Sequence, residues 1–224
     1  MKRFLLGFIL CGALVAPSAF AQEEGVSYGR GQGWSVLAAD TLGDNNTAFS
    51  AQLGWPGLTL GVLHGGTSKF DIGGKFTFNY GQEGLVEIVE PGIKFQAWVR
   101  LMLVRTPQAS LALVFQPGPL FYFQDGSTEV GLALPVSLVA GIPVGSALML
   151  NVGLDIPFYV IFGTGGGVVV PVLLGAGMEY FLDRNLAVNF NVRMGPSVGS
   201  YSDYGIRGRA RFTLEALLGI AYKF

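Results

Sequence analysis

The chain closes on Phe212-Thr213-Leu214-Glu215-Ala216-Leu217-Leu218-Gly219-Ile220-Ala221-Tyr222-Lys223-Phe224, and the order of those residues decides the fold. Phe212, Leu214, Ala216, Leu218, Ile220, Tyr222 and Phe224 occupy every second position up to the last residue. A period of two sends alternate side chains to opposite faces of an extended strand, whereas a helix needs 3.6. Leu186–Met194 reads the same way, with Leu186, Val188, Phe190, Val192 and Met194 on one face and Ala187, Asn189, Asn191 and Arg193 on the other. So do Phe70–Tyr80, Ile93–Leu103 and Leu148–Ile156, where Asp71, Lys75, Thr77, Lys94, Gln96, Arg100, Asn151 and Asp155 stand behind oily rows.

Composition says what those oily rows face. Of 224 residues, 50% are apolar and only 13% charged, with a net charge of −1. A soluble domain carries about a quarter charged residues, so something other than water covers part of this surface. Near-neutrality removes the basic footprint that a nucleic-acid partner requires. In lipid, only helices and closed barrels satisfy every backbone polar group. The most apolar stretch, Gly131–Leu182, is interrupted by Pro135, Pro143, Pro157, Pro171 and many glycines, so no window of about 20 residues can span as a helix. The oily rows therefore point to lipid and the polar rows to an enclosed interior, as in a transmembrane barrel. A periplasmic β-sandwich with apolar strands is the competing reading.

The amino end fits export. Met1-Lys2-Arg3, the apolar run Phe4–Val15 and Ala19-Phe20-Ala21 have the layout of a cleaved secretory leader over 1–21. Leu10 before Cys11 is not the small residue that lipidation expects. Without the leader the chain has no cysteine, which excludes thiolate metal sites and thiol catalysis. The organisation expected is leader 1–21, an N-terminal periplasmic segment 22–32, and a barrel over 33–224.

The terminal run resembles the last strand of bacterial outer-membrane barrel proteins, in which a final Phe follows apolar and aromatic residues at two-residue steps. The resemblance covers this strand and the general alternation. It implies an all-β, closed, antiparallel up-and-down barrel in the outer membrane. It also implies that Phe212, Leu218, Ile220, Tyr222 and Phe224 form a signal read by the barrel-assembly machinery, with lipid as the other partner.

Ten strands are expected: 33–39, 47–63, 68–80, 92–105, 109–123, 129–142, 147–161, 168–181, 186–198 and 207–224, with eight or twelve as alternatives. The second carries Trp55-Pro56-Gly57, read as a bulge that changes side-chain parity. The competing reading is a turn that splits the strand. With both ends periplasmic, Gly65–Thr67, Thr106–Gln108, Pro143–Ser146 and Leu182–Asn185 are inner turns. Asp40–Asn46, Gly81–Pro91, Phe162–Gly167 and Gly199–Ile206 are outer loops. Phe78, Tyr80, Phe121–Phe123, Phe158, Tyr159, Tyr180, Tyr222 and Phe224 are read as interfacial aromatic girdles.

The same parity sends Asp71, Glu129, Asp155, Glu179 and Glu215 into the bore beside Lys75, Lys94, Arg100, Arg193, Arg209 and Arg211. A ten-stranded bore is little wider than one that side chains fill, so these charges are expected to pair and close the lumen. That favours a structural or interaction role. The alternative is a passive channel or carrier for small or hydrophobic solutes, since Gly131, Ala133, Pro135, Val139, Val169, Leu173 and Gly175 make part of the bore apolar or small.

Catalytic groups are sparse. His64, near Ser68 and Asp71, is the one weak candidate for a lipid-modifying enzyme, and the expectation is no enzymatic activity. Glu83, Glu87 and Glu90 in the longest loop read as a solvated acidic patch rather than a cation site. Gly163–Gly167 lacks the Lys-Ser/Thr of a phosphate loop. No metal or cofactor is expected.

Overall fold

The computed structural model describes residues 32–85, 89–124, 126–163, 166–201 and 206–224. The expected leader, 1–21, and nearly all of the expected 22–32 segment lie outside the described residues. The rest is all-β, a closed antiparallel barrel of ten staves, with no helix among the described residues. The staves are β1 (Thr47–Trp55), β2 (Gly57–Thr67), β3 (Phe70–Asn79), β4 (Gly92–Arg105), β5 (Ser110–Phe115 with Gly118–Gln124) and β6 (Ser127–Ala133 with Val136–Val144). They continue with β7 (Leu148–Ile156 with Tyr159–Phe162), β8 (Gly167–Pro171 with Leu173–Phe181), β9 (Leu186–Tyr201) and β10 (Ile206–Lys223). Each pairs with its chain neighbours, and β10 closes on β1 in register from Ala48↔Lys223 to Trp55↔Ala216.

Four staves are interrupted next to a proline: Pro117, Pro135, Pro157 and Pro171. Proline has no N–H to give a ladder, which is why pairing breaks beside these four. The wall remains continuous, because Ala97 N donates to Pro117 O at 2.8 Å, Gln116 N to Pro135 O at 3.0 Å and Val172 N to Pro196 O at 2.8 Å.

Two expectations about the strands are corrected. Residues 33–39 form no strand. They enter the bore, and the wall starts at Thr47. Residues 47–63 are not one bulged strand. They belong to two antiparallel staves, Leu53 opposite Leu58, that turn at Pro56. Losing one expected strand and splitting another leaves ten. The rearrangement also moves Asp40–Asn46 from the outer rim to the end that carries the C-terminus, where Asn45 N donates to Gly65 O at 2.9 Å and Gly65 N to Asn46 O at 2.8 Å.

The side-chain phase is as the alternation requires. Phe212, Leu218, Ile220, Tyr222 and Phe224 are exposed on the outside of β10, while Thr213, Glu215 and Ala221 are buried inside it. Phe78, Tyr80, Phe123, Tyr180, Tyr222 and Phe224 point outward. Tyr122 and Tyr159, expected in the girdles, are instead buried in the bore.

Candidate functional site

Two pieces of the chain occupy the bore. At the end holding Thr47 and Phe224, residues 34–42 fold inside the wall, with Trp34, Val36, Ala38 and Leu42 packed against Leu63, Trp98, Val114, Val139, Met149 and Phe181. Apolar lumen positions thus bury the chain's own side chains, at about 1.5–3 kcal/mol for a large one. Trp34 stands edge-on to Phe181, and its Nε1 donates to Arg184 O at 2.9 Å.

Polar contacts fix this segment more narrowly than packing does. Arg100 on β4 donates from Nε to Asp71 Oδ2 on β3 at 2.8 Å, and both side chains are at most 1% exposed. The remaining guanidinium nitrogens donate to Ala38 O at 2.9 Å and Ser35 O at 2.8 Å. Asp71 in turn accepts from Leu42 N at 3.2 Å. One buried ion pair therefore grips the segment at both its ends. Across the bore, Glu179 on β8 accepts from Val36 N at 2.9 Å and from Ser35 Oγ. Ser110 Oγ donates to Asp40 Oδ2 at 3.1 Å, and Arg105 lies 3.4 Å from Asp40.

At the opposite end the loop after β3 dips inward. Leu85 is buried among Leu120, Tyr122, Ala133, Tyr159, Ile161 and Val169. Tyr159 Oη donates to Glu83 O at 2.9 Å, and the Glu83 carboxylate pairs with Lys94. The acidic-patch expectation is thereby corrected. Glu83 is a buried partner of a lumen lysine, and Glu87 lies outside the described residues. Among the described residues no group of acidic, His or Cys side chains could hold a metal ion.

Between the two closures lies a chamber of about 110 Å³. Its wall includes Gln52, Lys75, Asn79, Lys94, Trp98, Gln116, Asn151, Asp155, Asn191 and Arg193, its floor Val36–Ala38, and its roof Glu83. Arg193 bridges Glu215 and Asp155, the second at 3.7 Å.

Of the charges assigned to the bore from sequence, Asp71, Lys94, Arg100, Glu129, Asp155, Glu179 and Glu215 are buried in it, and Lys75, Arg193 and Arg211 are partly buried. The side chain of Arg209 lies outside the described residues. Among the described residues their ion pairs and segment contacts fall into groups. Arg100–Asp71 and Glu179 serve the N-terminal segment, Lys94 the loop, and Arg193 its own pair of carboxylates. Sequence reading missed Ser35, Asp40 and Glu83, which lie on segments read as a strand or as loops. The His64 constellation is not assembled. In β2–β3 pairing His64 faces Ile72 and Gly65 faces Asp71, so His64 and Asp71 project from opposite faces of the wall. His64 Nδ1 lies 2.9 Å from Thr47 Oγ1.

No family model matches the chain, and no curated protein matches it in sequence. Solved structures of similar architecture include the OmpT outer-membrane protease of Escherichia coli, with TM-score 0.43, 8% identity, and coverage of 82% of this chain and 98% of that one. The KdgM porin aligns with TM-score 0.37 and 11% identity over 80% of this chain and 99% of its own. The outer-membrane OmpT of Vibrio cholerae aligns with TM-score 0.35 and 13% identity over 75% of this chain and 55% of its own. The likeness is one of barrel architecture, that of outer-membrane proteins. It corrects one expectation. A protease stands among these structures, so a barrel of this kind gives no ground for expecting the absence of enzymatic activity.

Proposed function

We propose that the protein is an outer-membrane barrel whose lumen is shut by its own chain at both mouths, with a structural or interaction role in its resting form. One observation carries this reading. The Arg100–Asp71 pair, fully withdrawn from solvent, spends its remaining hydrogen bonds on the backbone of residues 35–42. A buried ion pair costs several kcal/mol of desolvation unless its remaining donors and acceptors are satisfied. Here the N-terminal segment satisfies them, so it belongs to the folded state. In this reading both wall ends at Thr47 and Phe224 are periplasmic, the outer face of β10 carries the assembly signal, and Leu85 closes the external mouth.

The oily lumen positions Ala133 and Val169 bury Leu85, which counts against passage of a hydrophobic solute. A second reading, a gated passage for small polar solutes, is favoured by the polar chamber between the closures. Planar-bilayer recording on the refolded full-length mature chain tests the first reading. Silence at moderate voltage is expected, and steady unitary steps would overturn it.

A further inference from the structure

The proline breaks in β5, β6, β7 and β8 form one row across the wall, with a piece of each stave above it, towards Leu85, and a piece below. Each seam keeps its register through the break. Gly118↔Ala133 above matches Phe115↔Val136 below, Ala133↔Tyr159 matches Val136↔Ile156, and Tyr159↔Val169 matches Leu173↔Asp155. The interruption is therefore one of hydrogen bonding and not of register. It is deepest between β7 and β8. Backbone groups point alternately to the two neighbouring strands. Phe158 O accepts from Leu134 N on β6, and Val172 N donates to Pro196 O on β9. Pro157 and Pro171 are thus the residues that face each other across β7–β8, and neither has an N–H to donate. Phe158 N turns instead to Ile156 O of its own stave at 2.8 Å.

Above the row stand four pieces: Gly118–Gln124, Ser127–Ala133, Tyr159–Phe162 and Gly167–Pro171. The buried residues clustered around Leu85 all belong to them: Leu120, Tyr122, Ala133, Tyr159, Ile161 and Val169. Glu83 N donates to Tyr122 Oη at 3.4 Å and Tyr159 Oη to Glu83 O at 2.9 Å. A Cβ at Gly84 would stand 2.6 Å from Pro171 Cγ. The loop is thus seated on these pieces. Towards β9 they are held from Gly167↔Tyr201 to Pro171↔Ser197. Towards β4 the edge is shorter, Gly92↔Tyr122, Ile93↔Phe121 and Lys94↔Leu120, and below it Ala97 N to Pro117 O spans the break.

We infer that the four pieces are a lid over the outer mouth, hinged on the proline row and parting from β4, with Gln82–Leu85 as the latch that holds it shut. Bending a continuous ladder in lipid costs its hydrogen bonds, with no water to replace them. Along this row the ladder is already thinned, so the wall bends there first. Pro135 and Pro157 of the hinge line the chamber, and a raised lid opens that chamber to the exterior. Asp71, Arg100, Ser110 and Glu179, which grip the N-terminal segment, lie outside the lid. The outer mouth can therefore open while the other stays shut. The inference rests on the closed-lumen reading, because a bore open at rest has no lid to release.

Amide hydrogen exchange of the refolded full-length protein in micelles tests it, with disulfide clamps in a Cys11→Ser background. Ile93→Cys with Phe121→Cys clamps the short edge of the lid, and Leu101→Cys with Leu113→Cys is the matching clamp below the row. Directly opposed residues of antiparallel strands lie within disulfide reach. Oxidising the upper clamp should slow exchange about tenfold or more in all four pieces, including Tyr159–Phe162 and Gly167–Pro171 on staves it does not touch, and reduction should restore it. The lower clamp should leave the lid unchanged. Pro157→Ala with Pro171→Ala returns two ladder donors and should slow the lid by about tenfold. An upper clamp felt only on its own two staves, a lower clamp felt equally, or exchange indifferent to the restored donors overturns the lid. If the alanine pair fails to fold, the comparison of clamps decides on its own. Bilayer recording on the unmodified protein separates the two readings. Steady steps overturn the closed lumen, whereas silence with a purely local upper clamp overturns the lid alone.

Discussion

Replacing Arg100 by Met removes the clasp on the N-terminal segment while keeping an apolar stem of similar length. The guanidinium makes two hydrogen bonds to carbonyls of the segment, at 2.8 and 2.9 Å. Bonds to charged groups contribute about 1.5–3 kcal/mol each, which puts the loss of attachment at about 3–6 kcal/mol. Even the lower figure shifts the docked-to-released ratio by roughly a hundredfold. R100M also strands Asp71, which is 0% exposed, and an uncompensated buried charge costs about 3–5 kcal/mol. The double variant R100M/D71N separates the effects: the stranded charge is gone and the clasp remains absent. In R100M/D71N the wall should keep its resistance to heat and detergent, while the chain before Thr47 becomes open to added protease and bilayer recordings gain conductance events. A segment as protected as in the unmodified protein would refute the reasoning.

Three further outcomes follow from the same geometry. Leu85→Asp places a carboxylate among Leu120, Tyr122, Tyr159 and Val169, so the loop should leave the bore. A cysteine placed at Glu83 would then react with a membrane-impermeant thiol reagent, which it resists when Leu85 is intact; the natural chain offers no rival thiol beyond Cys11. Gly65→Ala would bring a Cβ to 1.9 Å from Gly43 O, pushing the segment's exit off β2. Faster proteolysis of the N-terminal segment with little change in wall stability is expected. Finally, unboiled protein should run faster than boiled protein on a denaturing gel, and identical migration would deny a closed barrel.

The barrel was legible in sequence because lipid and lumen impose opposite chemistries on alternate residues. That difference survives in Leu186–Met194 and Phe212–Phe224 without any knowledge of pairing. What could not be read is what fills the bore. Trp34, Val36 and Ala38 are apolar at two-residue steps, as in a strand, because they pack against lumen walls. Periodicity does not say whether an oily face meets hydrocarbon or protein. At Pro56 a bulge and a turn both change side-chain parity, so alternation alone does not tell them apart, and only the pairing of Leu53 with Leu58 does. Glu83 looked solvated because its partner Lys94 is eleven residues away, across a fold that brings the loop inside. Tyr122 and Tyr159 lie next to outward aromatics, and only pairing shows that they turn inward to meet Leu85.

Amide hydrogen exchange on the refolded, unmodified barrel tests most directly whether the bore is closed by its own chain. Val36 N donates to Glu179 and Leu42 N to Asp71, both inside the lumen. Protection of these two amides at the level of the wall strands is expected. Exchange at the rate of an unstructured chain would contradict it, because residues 34–42 would then be outside and the lumen open.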